Sequence, residues 1–203
     1  MQQHKYFYER NLPHYQPEEG TYFVTYRLFG SIPLAKITDL KSEFQNLKAS
    51  NSKKSNEEVM KIHGEYFKKF DSELDNNLND PYWLKIPDIR KIVNDSLHFN
   101  AGKQYNLWCF SIMPNHVHVL FSLLENSIPL YSILQKHKRF TAWQTNKILG
   151  RNGSFWHKES YDHLVRDAKS FNRVLIYILN NPVKAGFVND WQDWEGNYLN
   201  PDL

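Results

Sequence analysis

Residues 113–120 read Met113-Pro114-Asn115-His116-Val117-His118-Val119-Leu120. The two histidines alternate with valines, which is typical of a β-strand because successive side chains of a strand point to opposite faces. His116 and His118 therefore project from one face, while the other face is apolar. Two imidazoles held on a rigid strand could bind a divalent metal, since histidine is the commonest metal ligand. A buried, hydrogen-bonded pair without a metal is the alternative, because so short a motif is weak on its own.

The segments around this strand predict an α+β protein. Runs of β-branched and aromatic residues predict strands at 21–29, 105–112 and 116–124, with a short strand at 160–165. Apolar residues at helical spacing predict helices that begin near Pro33, Asn56, Pro87, Pro129 and Ala168. We predict a ferredoxin-like sandwich, in which an antiparallel sheet carries helices mainly on one face.

The length and the order of these segments predict one domain over residues 1–203. Residues 36–80 are predicted to be a helical insertion, in which we identify no site residue. Residues 187–203 are predicted to form an irregular C-terminal tail that its tryptophans pack against the domain.

The cysteine content and the lack of long apolar runs predict a cytoplasmic protein. The single cysteine, Cys109, excludes an internal disulfide and favours a reducing compartment. Residues 1–10 lack the apolar core of a signal peptide, and no apolar run reaches the roughly 18 residues of a membrane-spanning helix. We therefore expect a cytoplasmic protein without a membrane partner, as a monomer or a homodimer.

Positive charge is concentrated between Ser127 and Lys158, where the sequence has no Asp or Glu. Basic residues interleaved with aromatic residues suit a polyanion that also offers flat faces for stacking, so we expect nucleic acid as the partner and, with it, a nucleoid-associated protein. The alternative is a solvated basic helix face. The predicted DNA-binding residues are Lys136, Lys138, Arg139, Lys147, Arg151, Phe155, Trp156 and Lys158, together with Arg166.

Tyr177 and Asn181 are four residues apart on the last predicted helix, which Pro182 ends, so they share one helix face. A tyrosine hydroxyl is a poor nucleophile near neutral pH unless a cation assists it. A metal held by two histidines and an amide oxygen would supply that cation. The alternatives are that Tyr177 is a boundary tyrosine with its hydroxyl at the surface and that Asn181 is a helix C-cap. Tyr161 is a second, less favoured candidate nucleophile, because His163 follows it on the same strand face.

Two of these segments together resemble a known family. Residues 113–120 and residues 177–186, which read Tyr-Ile-Leu-Asn-Asn-Pro-Val-Lys-Ala-Gly, are similar to the single-tyrosine HUH transposases, and specifically to the REP-associated tyrosine transposase branch. The resemblance runs from about Gly20 to Trp194, without the helical insertion, and includes residues 155–156 and 161–167.

The resemblance implies a DNA-nicking and strand-transfer enzyme of DNA transposition and recombination. It implies that His116, His118 and Asn181 hold Mg²⁺ or Mn²⁺, although nearer relatives carry glutamine at the Asn181 position. It also implies that Tyr177 attacks a phosphodiester of single-stranded DNA at a hairpin, which gives a 5′-phosphotyrosine link and a free 3′-OH.

Two other functions remain open at this point. The protein could bind hairpin DNA with a vestigial site and no cleavage. It could also be a metal-dependent phosphoesterase that uses water as the nucleophile, in which case no covalent protein–DNA adduct would form.

Overall fold

The computed structural model describes residues 7–9, 13–15, 19–49, 56–76 and 81–203. Its strands are β1 (Phe7–Glu9), β2 (Pro13–Tyr15), β3 (Thr21–Leu28), β4 (Tyr105–Ile112), β5 (His116–Leu123), β6 (Trp156–Val165) and β7 (Asn197–Leu199). Its helices are α1 (Leu34–Ala49), α2 (Asn56–Asn76), α3 (Pro87–Asn100), α4 (Leu130–Ile148), α5 (Ala168–Leu179) and α6 (Asn181–Lys184).

A five-stranded antiparallel sheet organises the fold. Its strand order is β6-β3-β5-β4-β7, and β1 pairs with β2 in a separate ribbon. The strands β3, β4, β5 and β6, taken in chain order, occupy the positions of a ferredoxin-like sheet, in which the first and third strands are central. The predicted α+β class is confirmed.

The two faces of the sheet carry different helices. On one face, Val24, Val117 and Val119 pack with residues of α3 and α4 in the larger core. On the other face, Phe23 and Leu120 pack with residues of α5 and with one residue of α2. His116 and His118 lie on this second face, which α2 and α5 therefore cover.

The structure corrects the prediction for the C-terminal tail, residues 187–203. The tail was predicted to be irregular, but Asn197–Leu199 forms β7 and extends the sheet along β4. A strand of three residues is too short to show an alternating pattern, and the exposed edge of β4 provides its hydrogen-bond partners.

The end of the last predicted helix also differs from the prediction. The helix α5 ends at Leu179, and the short helix α6 begins at Asn181 with Pro182 in its first turn. Proline is tolerated there because the first amide groups of a helix have no intrahelical acceptor. Tyr177 and Asn181 therefore lie on consecutive helices rather than on one.

Some predicted segments include residues that the structure does not describe. The predicted insertion at 36–80 contains residues 50–55 and 77–80, and the residues 1–10 that we searched for a signal peptide include 1–6 and 10, all outside the described residues. Within the described part of the chain, no helix combines the length and the apolar character needed to span a membrane.

Candidate metal centre and active site

The two histidines of β5 face each other at the centre of the second sheet face. Their Nε2 atoms are 3.0 Å apart, and both side chains are buried. Thr25 and Arg27 of β3 stand opposite His118 and His116 in the strand register. The strand therefore directs both imidazoles to one point, as the alternating pattern predicts.

The Nδ1 atom of each imidazole is within hydrogen-bonding distance of a neighbouring side chain. Asn115 donates from Nδ2 to the Leu74 carbonyl oxygen at 3.0 Å, so its Oδ1 accepts from His116 Nδ1 at 2.6 Å. Thr25 Oγ1 lies 2.7 Å from His118 Nδ1. Because His116 Nδ1 carries the proton, its Nε2 presents a lone pair to the space between the rings. Burial lowers the pKa of His116 to about 3, which keeps this imidazole neutral.

Asp71 of α2 is a candidate metal ligand that the sequence analysis missed. Its carboxylate is buried, and Oδ1 lies 3.2 Å from His118 Nε2. One possible ligand atom from each of Asp71, His116 and His118 lies within 4.8 Å of the other two. The helical insertion, in which the sequence analysis identified no site residue, therefore contributes a candidate metal ligand. A signal was present, because Asp71 interrupts the apolar stripe between Phe67 and Leu74 at helical spacing.

Asn181 contributes a side-chain amide that is buried without a hydrogen bond to the described residues. Among these residues neither its Oδ1 nor its Nδ2 has a hydrogen-bond partner. Two imidazole nitrogens, a carboxylate oxygen and an orphaned amide oxygen are a donor set that fits a divalent cation.

Tyr177 of α5 reaches the same cluster. Its hydroxyl donates a hydrogen bond to Asp71 Oδ2, and its ring lies edge-on to Phe23 with centroids 5.9 Å apart. Burial, followed by the negative charge of Asp71, raises the pKa of the Tyr177 hydroxyl far above its usual value. The phenol is therefore protonated in this structure and has a carboxylate at hydrogen-bonding distance.

Lys184 of α6 closes the cluster on its solvent side. Its Nζ lies 3.4 Å from Asp71 Oδ2 and 2.8 Å from Asp75 Oδ2. Both acids belong to α2, so this cation joins the insertion to the helix that follows Tyr177.

Comparisons with known proteins identify relatives that share part of this sequence. No family model matches the chain. A candidate REP-associated tyrosine transposase of Haemophilus influenzae is 30% identical over 101 residues, which cover 45% of this chain and 57% of the relative. A REP-associated tyrosine transposase of Escherichia coli K12 is 26% identical over 100 residues, covering 49% of this chain and 56% of the relative. The chain resembles the REP-associated tyrosine transposases. It spans little more than half the length of these relatives.

A solved structure shares the fold over almost the whole chain. This structure, of a REP-associated tyrosine transposase bound to a REP hairpin, superposes with a TM-score of 0.55 and 18% identity. The alignment covers 94% of this chain and 80% of that one. The resemblance to REP-associated tyrosine transposases that the sequence indicates is confirmed.

Tyr161, the other candidate nucleophile, lies on β6 opposite Thr25. Its ring stacks on Phe67 with centroids 4.2 Å apart, and burial raises the pKa of its hydroxyl. Among the described residues, Asp71 accepts a hydrogen bond from Tyr177, and no such bond joins it to Tyr161. Of the two candidate tyrosines, Tyr177 is therefore the one that is hydrogen-bonded to the candidate metal cluster.

Two of the predicted DNA-binding residues are interior, and a third, Lys138, is half-buried with its ammonium bonded to the protein. Phe155 and Trp156 are 1% and 6% exposed in the larger core, so no base can stack on either ring in this structure. Lys138 donates to the His157 carbonyl oxygen at 3.0 Å and to the Ser160 hydroxyl at 2.7 Å. Composition could not separate these residues from their exposed neighbours, because one stretch of sequence supplies both.

The other predicted DNA-binding residues remain near the surface. Lys136, Arg139 and Lys147 are exposed on α4, and Lys158 and Arg166 are exposed at the two ends of β6. The Lys147 ammonium lies 4.3 Å from the ring centre of Trp143, which is 57% exposed. The guanidinium of Arg151 lies over Trp83. The solvent face of α4 thus combines cations with open aromatic rings.

Proposed function

We propose that this protein is a metal-dependent enzyme that nicks single-stranded DNA at a hairpin and transfers the strand through a covalent link to Tyr177. The observation that carries the proposal is the chain of contacts from the Tyr177 hydroxyl through Asp71 to His118. The names of the relatives, and the hairpin in the structurally similar transposase, support DNA as the substrate.

The proposed metal is Mg²⁺ or Mn²⁺, held by His116, His118 and Asn181 together with Asp71. When bound, such a cation polarises a phosphodiester and offsets the charge that develops on it. The protein's part is to fix the ligands: Asn115 and Thr25 hold the imidazoles, and α2 brings the carboxylate.

Tyr177 is the proposed nucleophile, and Asp71 is its proposed proton acceptor. The hydroxyl proton passes to Asp71 Oδ2 as the Tyr177 oxygen bonds to phosphorus. The bond from phosphorus to the 3′ oxygen breaks, that oxygen takes a proton from water to become a free 3′-OH, and Asp71 returns its proton to the hydroxide that remains. The 5′-phosphate stays on Tyr177, so the free 3′-OH of the same or another strand can reverse or redirect the reaction.

The proposed reaction needs a movement that exposes the site. Asp71, His116, His118 and Asn181 are all almost completely buried. We propose that α2, which carries Asp71 and covers the histidines, is the element that moves. The ion pairs that Lys184, whose side chain is half-exposed, forms with Asp75 and Asp71 are polar contacts that such a movement would break.

The test is incubation of the protein with a single-stranded hairpin oligonucleotide and Mg²⁺ or Mn²⁺, followed by a denaturing gel. We expect a labelled protein–DNA adduct and a cleaved strand, and neither when a chelator is present. Cleavage without an adduct would support the water-using phosphoesterase. Hairpin binding without cleavage would support a DNA-binding protein with a vestigial site.

A further inference from the structure

Lys184 belongs to the cluster around Tyr177, but the proposed chemistry does not use it. It lies on α6, seven residues after Tyr177, and its side chain is half-exposed. The metal ligands, the nucleophile and the proton acceptor are all assigned without it. A fixed cation beside a group that attacks a phosphodiester is chemically suited to the negative charge of the phosphate.

The Lys184 ammonium and the Tyr177 hydroxyl converge on the same oxygen atom. The hydroxyl donates a hydrogen bond to Asp71 Oδ2, and Lys184 Nζ lies 3.4 Å from that oxygen. The ammonium also lies 5.8 Å from the centre of the Tyr177 ring. An oxygen that approaches the Tyr177 hydroxyl is therefore within reach of Lys184.

A phosphate under attack brings such oxygens to this place. Attack requires the tyrosine oxygen and the phosphorus to approach to about 3–3.5 Å. The non-bridging oxygens are bonded to that phosphorus, so they enter the space beside the hydroxyl. A lysine ammonium is a compact charge on a flexible stem, and it can donate to an oxygen there.

Two acids of α2 hold Lys184 while α2 covers the histidines. Asp71 and Asp75 are four residues apart, so they share one face of the helix. Asp75 Oδ2 lies 2.8 Å from Lys184 Nζ, and Asp75 Oδ1 is buried with no hydrogen-bond partner among the described residues. The charge of Asp75 is therefore balanced by the same ammonium that lies beside the nucleophile.

We propose that Lys184 is a catalytic residue that leaves Asp75 when DNA enters and donates a hydrogen bond to a non-bridging oxygen of the phosphate that Tyr177 attacks. It stays protonated throughout and forms no covalent bond, and it offsets the negative charge that develops on the phosphate oxygens. The inference rests on the proposed function. It also makes Asp75 an inhibitory residue, because this acid competes with the phosphate for Lys184.

The test measures the rate of adduct formation with a saturating hairpin oligonucleotide and Mg²⁺ or Mn²⁺. We expect Lys184→Met to react about tenfold or more slowly than the parent, because a hydrogen bond to a charged group contributes at least that much. Lys184→Arg keeps the charge and should keep most of the rate. Lys91→Met, which changes an exposed lysine of α3, is the control and should react as the parent does.

Asp75→Asn separates a phosphate contact from a purely structural ion pair. If Lys184 only holds α2 in place, loss of either partner breaks the same pair and changes the rate in the same direction. If Lys184 contacts the phosphate, the two changes differ in sign. We expect Asp75→Asn to react at the parent rate or faster, because its ammonium partner is released, while Lys184→Met reacts more slowly.

Chemical restoration of the ammonium tests the charge within one folded variant. The Lys184→Cys variant is treated with 2-bromoethylamine, which rebuilds a side chain of the length and charge of lysine, or with iodoacetamide, which leaves it neutral. The natural cysteine, Cys109, is buried and should not react. We expect 2-bromoethylamine to restore the rate of adduct formation and iodoacetamide not to restore it.

Several outcomes would overturn the proposal. One is that Lys184→Met reacts at the parent rate, and another is that Lys184→Met and Asp75→Asn are slowed alike. Equal effects of the two reagents on Lys184→Cys would also contradict it. Each of these results, with an adduct still formed on Tyr177, would leave the proposed function standing. The absence of any adduct with the parent would overturn the proposed function and this role of Lys184 with it.

Discussion

The hydroxyl of Tyr177 donates a hydrogen bond to the carboxylate of Asp71, although the two residues are 106 positions apart in the sequence. Asp71 also faces His118, so one side chain connects the proposed nucleophile with the proposed metal ligands. The helical insertion therefore completes the site that the histidine strand begins.

Substitution of either histidine should separate cleavage from binding. We expect His116→Ala and His118→Ala to abolish cleavage and largely to retain hairpin binding, because DNA affinity comes mainly from phosphate contacts elsewhere. Gel cleavage and binding assays with Mg²⁺ or Mn²⁺ measure the two effects. Cleavage at the parent rate in either variant would disprove the metal assignment.

Asp71→Asn should weaken metal binding. The change keeps the shape of the side chain but removes the charge that faces the imidazoles, and we expect about tenfold or more loss of Mn²⁺ affinity, since even outer partners of metal ligands contribute that much. Calorimetric titration of the protein without DNA provides the measurement. Asp75→Asn is the matched control, because Asp75 pairs with Lys184 and is not in the His/Asp cluster. Equal losses in both variants would argue against a ligand role for Asp71.

The exposed cations of α4 should determine the salt dependence of DNA binding. Each phosphate contact that Lys136→Gln or Arg139→Gln removes should reduce the slope of log affinity against log salt by roughly 0.7 for a single strand. Binding measured over a range of salt concentrations gives this slope. Lys91→Gln, an exposed lysine on α3, is the control. If the slopes of both α4 variants equal that of the parent, the basic stretch is a solvated helix face.

Lys138 should affect stability rather than DNA binding. Burial, with a further contribution from Arg27, lowers its pKa to about 7 in the folded protein. The unfolded chain keeps the proton up to the usual lysine pKa, so the unfolded state holds more protons between these two values. Through Lys138 alone, the free energy of unfolding should therefore rise as the pH increases above about 7. Below that pH the charged, half-buried Lys138 should destabilise the folded protein to the full extent.

The variant Lys138→Met should not show this increase in the free energy of unfolding above about pH 7. Urea unfolding of the parent and the variant at pH 6.5 and pH 9 compares the two. A variant that keeps the full pH dependence of the parent would show that Lys138 is not its source.

The parts of the molecule that the sequence predicts well are those with a repeated local pattern. The alternation around His116 and His118 predicts both the strand and the shared face, because a sheet has a period of two. Asp71 was missed because its partners lie on strands and helices far along the chain, and an acid on an amphipathic helix is usually solvated. The strand β7 was missed because pairing with β4, rather than its own composition, forms it.

The sequence also did not predict which basic and aromatic side chains of the 127–158 stretch are buried. Lys138 and Arg139 are neighbours in the sequence, yet one ammonium packs against β6 while the other cation faces solvent. Helix orientation decides this difference, and charge counting contains no information about it. The same holds for Phe155 and Trp156, which are core residues within a basic stretch.

The most direct test of the account is to identify the residue that carries the DNA after cleavage. The protein is incubated with a hairpin oligonucleotide and Mg²⁺ or Mn²⁺, the adduct is digested, and the peptide that bears the nucleotide is sequenced by mass spectrometry. We predict a 5′-phosphate on Tyr177, no adduct with Tyr177→Phe, and a retained adduct with Tyr161→Phe. A nucleotide on Tyr161, or cleavage without any adduct, would contradict the account.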